Sequence, residues 1–150
     1  MKLLPLTAAE RAQSGFTHKV SVKLADIPAG TGATDLQIFP KAGSTFPAGT
    51  MIGRIAVALI TTLAGGSLST CTLTVKDVTL GTTYIAAYSV YTGATPLAYK
   101  ATNTTLAYLA ADALKLVFTP GANNLNGLTA GEIEVYFELR SLPDMVIPKG

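Results

Sequence analysis

Residues 51–75 read MIGRIAVALITTLAGGSLSTCTLTV, and this stretch decides the fold. Ile55, Val57 and Leu59 alternate with Ala56, Ala58 and Ile60. After the break Ala64-Gly65-Gly66-Ser67, Cys71, Leu73 and Val75 alternate with Thr70, Thr72 and Thr74. A period of two on either side of a Gly-rich break predicts two antiparallel strands, each with one buried face. The break is longer than a two-residue turn, so it reads as a loop rather than a tight hairpin.

The same alternation recurs along the chain. Val20, Val22 and Leu24 oppose Lys19, Ser21 and Lys23, with His18 in phase with the apolar set. Asp35 to Phe39 is a short strand ending at Pro40, and Lys41 to Gly49 is a turn-rich connection. Thr83 to Tyr91 is predicted to place Tyr84, Ala86, Tyr88 and Val90 on one face. Residues 96–106 read as a loop or an edge strand. The Ala/Leu-rich run 106–118 is open between helix and strand in its first half and alternates in its second. Glu132 to Arg140 is the clearest strand: Ile133, Val135, Phe137 and Leu139 point inward and Glu132, Glu134, Tyr136, Glu138 and Arg140 outward. The outward set reads as a solvated face that discourages edge pairing, not as the carboxylate pair of a glycosidase.

About eight short strands separated by Gly, Pro and Asn turns predict an all-β chain: an antiparallel β-sandwich or jelly roll over residues 16–140. Residues 1–15 read as an N-terminal arm. In it Thr7-Ala8-Ala9-Glu10 is a capping box that starts a short helix, which stops at Gly15. Residues 141–150 read as a C-terminal tail, because Pro143 and Pro148 forbid a continued ladder. Leu3, Leu4 and Leu6 in the arm and Met145, Val146 and Ile147 in the tail are the candidate anchors to neighbouring molecules. Tyr88 and Tyr91 are candidate contact residues, since a Tyr ring buries area while its hydroxyl keeps a partner.

Composition restricts the function classes. Of 150 residues, 49% are hydrophobic and only 13% charged, against about 25% charged in ordinary domains. Such a surface is covered by Thr, Ser, Asn, Gly and Ala, or buried against partners. The net charge is +2 and the basic residues stand singly, not in the patch or stripe that nucleic-acid binding requires. Cys71 is the one cysteine; its phase with Leu73 and Val75 makes it a buried hydrophobe. His18 is the one histidine, and no His/Cys/acid cluster accompanies it, so neither a metal nor another cofactor is expected. The chain carries no nucleophile elbow or other catalytic constellation, and it is not expected to be an enzyme. Pro5, Glu10 and Arg11 interrupt the apolar start before a signal-peptide core is complete. The longest apolar run falls far short of the roughly 20 residues a membrane span needs.

The runs AVALITTL (56–63) and AGGSLSTCTLTV (64–75) and the closing LTAGEIEVYFEL (128–139) resemble small virion proteins of tailed bacteriophages. In that group a G-G-x-L-x-T-x-T-L-x-V strand is followed by a D/G-T-x-Y-I-A-A segment; here the latter is Leu80-Gly81-Thr82-Thr83-Tyr84-Ile85-Ala86-Ala87. The resemblance covers residues 50–140. It implies a jelly-roll-like capsid decoration (cement) protein on the capsid exterior, commonly a homotrimer, whose partner is the major capsid protein. A neck, tail or fibre component is also compatible with it. A carbohydrate- or receptor-binding sandwich is the other expectation, with Tyr84, Tyr88, Tyr91 and Tyr99 standing in for the absent Trp as a sugar platform.

Overall fold

The computed structural model describes residues 2–65, 68–91, 97–101, 111–121 and 125–141. The strands are β1 (Lys2–Pro5), β2 (His18–Lys23), β3 (Thr34–Phe39), β4 (Thr50–Gly65), β5 (Cys71–Asp77), β6 (Thr83–Ser89), β7 (Leu97–Ala101), β8 (Leu114–Pro120) and β9 (Leu128–Ser141), with one short helix α1 (Ala8–Ser14). They form a five-stranded sheet in the order β1-β2-β9-β4-β7 and a four-stranded sheet in the order β3-β8-β5-β6.

The pairing is nested. β5 pairs with β6, β4 with β7, β3 with β8 and β2 with β9, all antiparallel. The chain is therefore a long hairpin folded about the β5–β6 turn and then rolled up, so that alternate rungs fall in opposite sheets. β9 then pairs β4, and β8 pairs β5. This is the wiring of a jelly roll, with β1 added on the free edge of β2. The all-β sandwich read from the alternation is the observed fold.

The two runs that open the sequence reading do not pair with each other. β4 lies in the five-stranded sheet and β5 in the four-stranded one. Each buries its apolar rows, Ile55 and Val57 from one and Cys71, Leu73 and Val75 from the other, in the same core. Period two fixes which face is buried but not which strand lies alongside. Gly65 leaves β4 with a φ of +104°, and a Cβ there would meet the Thr129 backbone nitrogen at 2.6 Å.

Two bulges break the expected alternation. On β4, Gly53 and Arg54 together oppose Glu138, since the register passes from Ile52↔Leu139 to Ile55↔Phe137. On β6, Ala87 has a φ of +47° where the pairing with β5 shifts. As a result Tyr84 and Ile85 are both buried, Ala86 is exposed and Tyr88 is half-buried, in place of the single Tyr84–Val90 face predicted.

Near the N-terminus, Lys2–Pro5 forms β1 on the chain's own sheet, and Leu6 is only 4% exposed within its own chain. The helix forms as predicted. The Thr7 side chain accepts from the Glu10 backbone, Glu10 reaches back to the Thr7 backbone, and Gly15 closes the helix in the left-handed region. Every residue of α1 is exposed, so local capping rather than tertiary burial holds it.

Candidate functional site

One end of the sandwich gathers the β3–β4 loop, the β5–β6 turn, the start of β2 and the close of β9. Between them lies a cleft of about 390 Å³. Its walls include His18 from β2, Phe39 from β3, Phe46 from the loop and Leu139 from β9, with Thr45 and Arg140 also lining it. The rings form a continuous aromatic cluster. His18 stacks on Phe137 at 5.7 Å, Phe39 sits 5.2 Å from Phe137, and Phe39 stacks on Phe46 at 6.4 Å.

The cleft is built from pinned backbone. On β3 the Gln37 side-chain amide donates to the carbonyls of Pro40, Lys41 and Ser44, which draws the loop into a closed shape. Phe46 exchanges backbone hydrogen bonds with Asp112. Thr17 Oγ accepts from the Leu139 backbone at 2.9 Å and lies 2.8 Å from His18 Nδ1, so it fixes both the β9 wall and the imidazole. Burial, assisted by the nearby Arg11 charge, lowers the His18 pKa below its ordinary value.

Beside the cleft, two fully buried carboxylates hold the β5–β6 turn. Asp112 accepts from the backbone N–H groups of Thr79, Leu80 and Ala113, and Asp77 accepts from Thr82 N–H. Burial alone would raise the Asp112 pKa; these N–H donors outweigh it and keep the group below its ordinary value. The turn so fixed presents Val78 and Leu80 to solvent, 41% and 58% exposed.

The outward face of β9 is not the solvated row expected from sequence. Glu138 is only 7% exposed. It accepts from Arg54 Nε at 2.9 Å and is also paired with Arg140. Arg54 in turn donates to the Gly15 carbonyl and lies over the Phe16 ring. The bulge explains this burial: Gly53 has no side chain, and a Cβ there would sit 2.7 Å from Glu138 Oε2. Glu134 is paired with Lys19 at 3.1 Å and accepts from the Tyr136 hydroxyl. That hydroxyl's pKa is pushed up to about 12, first by burial and then by Glu134.

The sequence-selected residues are dispersed. Leu3 and Leu4 stand opposite Val20 and Lys19 of β2. Tyr88 and Tyr91 are half-buried at the β6 end of the molecule, while Tyr84 belongs to the core and is closed to any sugar. Tyr99 lies on β7. Met145, Val146 and Ile147 lie outside the described residues. Cys71 is buried, and that burial pushes its thiol up to about 11, the reverse of activation. Among the described residues no three His, Cys, Asp or Glu side chains gather as metal ligands, and no helix is long and apolar enough to cross a membrane.

Sequence reasoning missed the aromatic cleft. Its trace in the chain is the repeated Phe-Pro pair, Phe39-Pro40 and Phe46-Pro47, which encloses the loop. The fold and the cleft together define a jelly-roll sandwich with a ligand-sized aromatic recess at one end. Comparison with protein-family models, with curated proteins and with solved structures finds no match to this chain.

Proposed function

We propose that this chain is a structural subunit of a bacteriophage virion: a decoration (cement) protein on the capsid exterior that binds the major capsid protein and its own copies through surface burial. The observation that carries the reading is the β5–β6 turn, where buried Asp77 and Asp112 fix a backbone whose exposed side chains are the apolar Val78 and Leu80. A turn held rigid from beneath loses little conformational entropy when its apolar side chains are covered, so nearly all of the burial contributes to binding. Jelly rolls serve in viral shells and in lectins alike. The charge-poor composition favours the shell, because neighbouring subunits cover apolar surface that charge would otherwise solubilise.

The test adds purified chain to particles that lack it. Wild type is expected to bind. Val78→Asp combined with Leu80→Asp is expected to lose about 100-fold in affinity, from roughly 1.5 kcal/mol for each side chain. Undiminished binding by the double variant would remove the turn from the interface. The copy number in purified particles separates shell from neck, tail or fibre: hundreds indicate the shell, a dozen or fewer the other parts.

A further inference from the structure

The cleft and the course of the chain beside it fit one another. β9 ends at Ser141, and Leu139 and Arg140, two residues just before that end, are themselves walls of the cleft. The chain that follows therefore starts at the rim. Residues 142–150 read Leu-Pro-Asp-Met-Val-Ile-Pro-Lys-Gly, with Met145, Val146 and Ile147 in one apolar run. Pro143 stands second in the tetrapeptide Leu142–Met145, the position proline favours in a chain-reversing turn. The charges match as well. Glu138 is shared by Arg54 and Arg140, so one carboxylate serves two guanidinium groups, and Arg140 remains 56% exposed at the rim. Asp144 follows it by four residues.

We propose that the cleft is a peptide-binding site whose occupant is residues 142–150 of the same chain, with Met145, Val146 and Ile147 against the aromatic walls and Asp144 facing Arg140. Tethering decides between this occupant and the same segment of a second copy. A segment joined at the rim meets its own cleft at an effective concentration on the order of millimolar, above that of any free copy in dilute solution. The inference stands apart from the virion reading, since it concerns how the chain covers its own apolar recess.

The experiment uses the full chain with methyl-labelled methionine and ring-labelled histidine and phenylalanine. His18 is the only histidine and reports the cleft without ambiguity. The expected result is nuclear Overhauser contacts from the Met145 methyl to the rings of His18, Phe39 or Phe46, unchanged when labelled chains are diluted tenfold with unlabelled ones. Ile147→Asp is expected to abolish these contacts while unfolding stays cooperative and His18 stays stacked on Phe137. A Met145 methyl with no contact to those rings overturns the proposal in the wild-type chain, whatever the variant does. Contacts that fall about tenfold on dilution overturn it in favour of a second copy. Failure of either kind leaves particle binding through Val78 and Leu80 untouched, so the two readings are tested separately.

Discussion

The outer faces of the two sheets solve the same problem in opposite ways. On the five-stranded sheet, β9 carries Glu134 and Glu138, and each is paired with a cation: Lys19 for the first, Arg54 and Arg140 for the second. Phe16 closes over this network, against Tyr136 at 5.9 Å and Arg54 at 5.3 Å. On the four-stranded sheet the outward rows are Thr72, Thr74 and Lys76 on β5 and Lys115, Val117 and Thr119 on β8. Lys115 pairs with Asp35, and most of the remainder is threonine. A chain with so few charges has placed a large share of them in one half-buried network and left the other face to β-branched hydroxyls. Threonine suits an uncovered pleated surface because it keeps strand propensity without needing a charged partner. Carboxylates on a face that becomes covered need guanidinium partners, since an unpaired buried charge is strongly unfavourable.

The largest effect expected from breaking this contrast is at Glu138. Glu138→Ala leaves two guanidinium groups crowded on a partly covered face. It is expected to cost about 2–3 kcal/mol, less than the 3–5 for a fully enclosed pair because Arg54 and Arg140 both reach solvent. Urea denaturation measures this directly. A cost below about 0.5 kcal/mol, the level of ordinary surface changes, would make the network ornamental.

Acid sharpens the same comparison. Burial alone would raise the pKa of Glu134 and of Glu138. Hydrogen bonds from Tyr136 and Lys19 in the first case, and from Arg54 and Arg140 in the second, outweigh it and hold both below the ordinary 4.5. The folded state therefore binds fewer protons than the unfolded state across this range. The stabilisation is fully present above pH 4.5 and is lost as pH falls through the folded values. Glu138→Gln is expected to give a shallower acid limb in a stability–pH profile, with Asp112 and Glu134 supplying what remains.

The smallest effect is expected on the threonine face. Thr72→Val keeps shape and strand propensity and is expected to change stability by no more than about 0.5 kcal/mol. A loss several times larger in thermal unfolding would show that this face relies on its hydroxyls.

Much of this was legible in the chain, and the limit is instructive. The strands at 18–23, 71–77 and 114–120, the capping box at Thr7 and Glu10, and the buried phase of Cys71 were all readable, because each depends on residues a few positions apart. The outward row of β9 was read correctly in phase and wrongly in environment. Whether Glu138 meets water depends on Gly15, Phe16 and the Gly53–Arg54 bulge, which lie far away in sequence. The Tyr84–Val90 face failed for a related reason: a single left-handed residue, Ala87, shifts the alternation, and alanine gives no local sign of it.

The sequence by itself determined that this is a β-protein, where its strands run and which side of most of them is buried, because the pleat repeats every two residues and hydrophobic burial follows it. The tertiary structure alone decided that the two opening runs lie in opposite sheets, that Glu138 is enclosed between two arginines, and that His18, Phe39, Phe46 and Leu139 meet around one cleft. Those are consequences of the nested pairing about the β5–β6 turn, which brings together residues more than a hundred positions apart and leaves no periodic mark in the chain.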